Sequence, residues 1–151
     1  MIQCEPRSVV PHFSRTEMDE MKLMLSGDIP EFEFDPEYEK HVPVFNGGRP
    51  IAKYFRGAPP IDFLLNYSDT DLLSEPYLQE LNANVFWSLI DDQLGPFLLP
   101  FAVTGGGDVF CFDYERGVPP EVVIWYHEIS GAEGIKVKRL ARSFAEFAQG
   151  L

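Results

Sequence analysis

The stretch Pro96–Glu128, PFLLPFAVTGGGDVFCFDYERGVPPEVVIWYHE, decides the fold. Phe97 to Val103 is an apolar run bounded by Pro96. Thr104-Gly105-Gly106-Gly107 reads as a hairpin turn with room for a bulge, because glycine accepts the positive φ that tight turns demand. Asp108 to Tyr114 then alternates, with Val109, Cys111 and Asp113 opposite Phe110, Phe112 and Tyr114. Glu121 to His127 repeats the pattern, setting Val122, Ile124 and Tyr126 against Val123, Trp125 and His127. A period of two is the signature of a strand, and short Gly/Pro-marked joints make successive strands antiparallel.

Working outward, Ile135, Val137 and Arg139 alternate with Lys136 and Lys138 as a further strand. Ser143-Phe144-Ala145-Glu146 is a capping box that opens a short C-terminal helix, whose Phe144, Phe147 and Leu151 dock on the sheet. Towards the N-terminus, Ile51–Phe55 reads as a short strand and Ile61–Tyr67 as a second. Ser74–Asp92 is the longest helix candidate, with Leu78, Leu81, Val85 and Leu89 on one face and Asn82-Ala83-Asn84 as a candidate break. Ser14-Arg15-Thr16-Glu17 is another capping box, opening a helix with Met18, Met21 and Leu25 on its stripe. Asp35-Pro36 starts a short helix that Pro43 limits, and Asn46-Gly47-Gly48 turns the chain. Helices around an antiparallel sheet, with late hairpins, define an α+β class with a single domain, not alternating βαβ.

The bulk numbers agree. The chain has 151 residues, 45% hydrophobic and 14% aromatic, enough for one core and too apolar for disorder. The net charge is −12, from 24 acids and 12 bases. All of that excess lies between Gly57 and Ile135, where 13 acids face one base, Arg116. Such a field repels nucleic acid and anionic membranes and attracts basic partners, although a surface kept acidic only for solubility has the same composition. Cys4 and Cys111 form no C-x-x-C pair; Cys111 lies in a strand pattern and Cys4 near a terminus expected to be mobile. No signal peptide is visible, and no apolar run approaches the ~20 residues of a membrane span, so a cytoplasmic protein is expected.

Motifs for catalysis are weak. Gly105-Gly106-Gly107-Asp108 lacks the Gly-Lys-Ser/Thr ending of a phosphate loop, and a strand follows it where a helix is required. Asp69-Thr70-Asp71 begins like a calcium loop but has Ser74 at the glycine position. His127-Glu128 is followed by Gly131 where a zinc motif needs histidine, so His127 reads as a hydrogen-bonding residue at a strand end. Lys136, Lys138, Arg139 and Arg142 read as an ion-pairing strip. No catalytic residue, cofactor or metal is expected.

Phe45-Asn46-Gly47-Gly48, Leu99–Ala102, Gly106-Gly107-Asp108 with Phe110–Asp113, Val123–Glu128 and Ala141–Phe147 occur in one order. This ordered set resembles the SUKH superfamily, which includes fungal cell-wall assembly regulators and bacterial immunity proteins. The resemblance covers residues 16–151, leaving 1–15 as an N-terminal extension. Pro43, inside the helix before the turn, and the Val118-Pro119-Pro120 loop depart from the family pattern. The resemblance implies a twisted, mainly antiparallel sheet flanked by helices, no catalytic residues, and a role in binding and neutralising a toxin domain, often a nuclease or deaminase. Asn46, Gly47, Gly48, Gly106, Gly107, Asp108, Trp125, His127 and Glu128 match its signature and are expected to maintain the fold. The expected contacts to a basic protein partner are Asp62, Asp69, Asp71, Glu75, Asp91, Asp92, Asp113, Glu115 and Glu121. A regulatory adaptor with a non-toxin partner and a small-molecule-binding protein are the competing readings.

Overall fold

A computed structural model describes residues 1–128, 134 and 136–151. Its centre is one antiparallel sheet of five strands in chain order, β1 (Ile61–Leu64), β2 (Leu98–Thr104), β3 (Val109–Asp113), β4 (Glu121–Trp125) and β5 (Val137–Ala141). The β2–β3 hairpin turns at the expected glycines, and β3 and β4 pair in unbroken register from Val109↔Trp125 to Asp113↔Glu121. The architecture is α+β. Glu133 and Ile135 lie outside the described residues.

Alternation gives the sheet two apolar faces. Phe101, Phe110, Phe112, Val122 and Ile124 join the larger core, together with residues of the N-terminal helices and the C-terminal helix. Leu98, Val109, Cys111, Val123 and Trp125 form a smaller core on the opposite face. Helix α1 (Arg15–Ser26) buries Met18, Met21 and Leu25, as its stripe requires. Helix α2 (Pro36–His41) starts at the Asp35 cap. The C-terminal helix, α5 (Phe144–Gln149), buries Phe144 and Phe147 against Phe101, with ring centroids 5.9 and 5.6 Å away.

The long helix expected over Ser74–Asp92 is two, α3 (Pro76–Glu80) and α4 (Ala83–Leu94). The Asn82 carboxamide makes the break: its oxygen accepts from Asn84 and Val85 N–H, and its NH₂ donates to Ser68 O at 2.7 Å. Restarting the helix there changes which side faces inward. Leu89, expected on the buried stripe, is 63% exposed, while Phe86, Trp87, Ile90 and Leu94 cover the smaller core.

Two further expectations are corrected. Ile51–Phe55 is not a strand: it runs beside β1 with only isolated bonds, such as Ile61 N–H to Lys53 O, and Ile51 and Tyr54 face solvent. Cys4 is not on a mobile end. It is buried and bridges Pro50, and Ile2 and Cys4 belong to the main core. Among the described residues no helix is long and apolar enough to cross a membrane.

Candidate functional site

Asp113 ends β3 and Glu121 begins β4, and the two are register partners. By strand periodicity both lie on the face of Cys111 and Val123, the side where α4 packs. Asp113 Oδ1 accepts the Glu115 N–H at 2.9 Å, holding the turn that carries Glu115. Glu121 pairs with Arg139 of β5 at 3.0 Å.

These groups rim two adjoining cavities of about 260 and 280 Å³ that share Asp113, Glu115 and Val137. The first reaches Leu94, at the end of α4, and Phe97; the second reaches Arg116, Pro119 and Val123. Phe97 and Val137 are 37% and 41% exposed. The result is a surface with an apolar floor at the edge strand β5, rimmed by three carboxylates and by Arg116 and Arg139. Exposed carboxylates attract a cation, while half-exposed apolar side chains add area that gains from being covered.

The other expected contacts do not line this surface. Asp91 and Asp92 stand in the last turns of α4, whose final residue, Leu94, lines the first cavity. Asp62 is on β1, the opposite edge strand, 3.9 Å from Arg49. Asp69 caps a 3₁₀ turn by accepting the Asp71 N–H at 3.0 Å, and Glu75 is the N-cap residue of α3. Phe97, Val137 and Arg139 were absent from the sequence-derived contacts. Their exposure depends on where α4 ends over the sheet, which no local pattern reveals.

The signature residues have architectural contacts. Asn46 is buried; its amide donates to Val10 O and Ser68 Oγ, and its oxygen accepts the Tyr67 N–H at 2.7 Å. At Gly47, with φ +74°, a Cβ would stand 2.9 Å from Asn66 Cβ. A Cβ on Gly107, with φ +95°, would meet the His127 ring at 3.1 Å. Asp108 Oδ1 accepts the His127 N–H at 3.2 Å and lies 2.9 Å from Nδ1, tying the β2–β3 turn to the end of β4. Trp125 is buried in the smaller core, Gly106 is exposed in the turn, and Glu128 is exposed.

Both thiols are held protonated. Burial, with a smaller contribution from Glu5, pushes Cys4 up to about 11; burial also pushes Cys111 well above its ordinary value, and Asp113 adds to this. A thiol in that state is a poor nucleophile. Among the described residues no three His, Cys, Asp or Glu side chains are grouped to hold a metal ion. In the basic strip, Arg139 pairs with Glu121, Arg142 with Glu146, and Lys138 donates to Gly57 O at 2.7 Å.

No curated protein and no solved structure matches the chain. One family model does, SUKH_6, described as SMI1-KNR4 cell-wall, and it covers residues 30–147. With that match over well more than half its length, and the ordered motifs folded as above, the chain belongs to the SUKH superfamily.

Proposed function

We propose that this protein works in the cytoplasm by binding and neutralising a basic toxin domain through the surface around Asp113, Glu115 and Glu121. Membership in the family is consistent with a protein-binding role of the toxin-immunity or cell-wall kind. The observation that carries the finer reading is the convergence of Asp113, Glu115 and Glu121, with Arg116 and Arg139 between them, on an apolar floor beside an edge strand. A toxin that acts on nucleic acid needs a cationic active surface, and a net charge of −12 steers such a surface inward. Complementary charge raises association towards ~10⁸–10⁹ M⁻¹s⁻¹ at low salt, the speed self-protection requires.

The experiment is co-expression with the product of the neighbouring gene, assayed as a toxin. Rescue of growth and co-purification as a stable complex are expected. The words "cell-wall" in the family description favour a second reading, a regulatory adaptor. Failure to bind the neighbouring gene product, with recovery of envelope or signalling proteins on the same bait, selects the adaptor.

A further inference from the structure

A cavity of about 450 Å³ opens at β1, the edge strand opposite β5. It opens between the N-terminal segment, β1 and α3, and its walls include Glu5, Arg7, Arg49, Phe63, Tyr77 and Leu78. Its size falls in the range of about 300–1,000 Å³ typical of small-molecule pockets. In so acidic a chain, two arginines on one cleft stand out.

Their setting is built. Glu5 N–H donates to Arg49 O, and Arg49 N–H donates to Ser8 Oγ, both at 2.8 Å. Ser8 Oγ in turn donates to Glu5 O at 2.7 Å. The turn that carries Arg7 and the segment that carries Arg49 are therefore laced together. At Gly48 the backbones approach so closely that a Cβ would stand 2.9 Å from Ser8 Oγ. The Arg49 guanidinium lies over the Phe63 ring, 4.6 Å from its centroid. A cation–π contact of this kind holds the group over the ring face, and the Arg49 side chain remains 52% exposed. The Asp62 carboxylate lies 3.9 Å from it, too far for a hydrogen bond. The Arg7 side chain has no hydrogen-bond or ion-pair partner among the described residues. The Tyr77 ring lies 6.2 Å from Phe63 and is 52% exposed.

We propose that this cleft binds a small planar anion, an aromatic ring carrying a carboxylate or a monophosphate. The anionic group bridges Arg7 and the edge of Arg49, where a guanidinium offers paired donors. The ring lies on the outer face of the Arg49 guanidinium, beside Tyr77. Glu5 and Asp62 flank the two arginines, so the cleft is close to neutral when empty. That balance admits a compact anion and disfavours a polyanionic strand, which the rest of the chain also repels. This site does not depend on the toxin-binding reading, because none of its residues lines the carboxylate surface.

The test is an NMR titration of the intact protein with adenosine monophosphate, with 4-hydroxybenzoate and with inorganic phosphate, observing backbone amides and arginine Nε–Hε groups. Saturable shifts at Arg7, Arg49, Phe63 and Tyr77 are expected for at least one ring-bearing anion, with inorganic phosphate at least tenfold weaker. Saturation by the nucleotide alone assigns the anion as phosphate; saturation by the benzoate alone assigns it as carboxylate. Arg49→Gln and Arg7→Gln, both at solvent-exposed side chains, are each expected to weaken binding tenfold or more while leaving the rest of the spectrum in place. The proposal is overturned by no saturable shift up to about 10 mM, by shifts mapping elsewhere, by equal binding of bare phosphate, or by full affinity in both arginine variants.

Discussion

Asp35 and Phe144, 109 residues apart, are joined by a 3.0 Å hydrogen bond from the Phe144 N–H to Asp35 Oδ2. The other oxygen of the same buried carboxylate accepts from Glu37 and Tyr38 N–H at 2.9 and 3.2 Å. One side chain thus caps α2 and anchors the start of α5, whose phenylalanines complete the main core.

Asp35→Ala is expected to destabilise the fold by about 3 kcal/mol, the sum of a lost cap and a buried amide left without an acceptor. Asp35→Asn keeps one acceptor oxygen but turns an NH₂ towards one of the amides, so an intermediate loss is expected. Urea unfolding of the three proteins checks the order. Equal stability of Asp35→Ala and the parent would refute the shared cap.

Asn46 makes a comparable junction, between the N-terminal segment and the chain just after β1. Asn46→Ala strands the Tyr67 N–H in the interior and removes one of two partners of Ser68 Oγ, which still donates to Pro11 O, at an expected cost of about 2–4 kcal/mol. Gly47→Ala adds a left-handed conformation and a 2.9 Å contact with Asn66, for about 1–3 kcal/mol. Thermal melts of both variants provide the measurement; a Tm within a degree or so of the parent in either would contradict these assignments.

Local chemistry explains why so much of the β half was legible. Phe110, Phe112, Val122 and Ile124 alternate with Cys111 and Val123 because each strand has two faces, and the glycine turn sets the hairpin. The same reasoning failed at Leu89 because helix phase depends on where the helix starts. Asn82 is fixed by Ser68, fourteen residues away, a contact invisible to a sliding window. Ile51–Phe55 has the apolar content of a strand, yet Ile51 and Tyr54 face solvent while Phe55 packs on the main core against Phe147. Charge counting put Asp113, Glu115 and Glu121 in one group with Asp62 and Asp69. It could not see that β1 and β5 are opposite edges. Arg7 and Arg49 form a cleft only because the N-terminal segment folds back beside the Asn46 turn.

His41 provides a pH prediction. Its ring is 1% exposed, stacks on Phe45 at 5.6 Å and packs against Phe144 at 5.2 Å. Burial, aided by the positive N-terminus, lowers its pKa from 6.5 to about 4. The folded state therefore keeps the ring neutral where the unfolded chain takes up a proton. Stability is full above pH 6.5 and falls as the pH drops towards 4, by about 3 kcal/mol across that window. His41→Phe, which preserves the aromatic stack, is expected to flatten this part of the profile relative to the parent. Parallel slopes for the two proteins between pH 6.5 and 4 would remove His41 as the cause.

The carboxylate surface makes the sharpest claim about the partner. Glu115 is exposed, and its side chain makes no hydrogen bond or ion pair among the described residues, so Glu115→Lys should fold normally. The substitution changes the net charge by two units at the proposed contact. Glu20→Lys makes the same change on α1, at an exposed residue that lines neither cavity. If basic partners are captured at Asp113, Glu115 and Glu121, Glu115→Lys should slow association with the toxin domain about tenfold at low salt. It should also reduce the salt dependence, while Glu20→Lys has a much smaller effect. Phe97→Ala is then expected to speed dissociation without altering the approach, because an apolar contact acts only after encounter. Stopped-flow binding at two ionic strengths separates these effects. Equal slowing by Glu115→Lys and Glu20→Lys would mean that net charge alone governs capture and that the sheet-end surface is not where the partner docks.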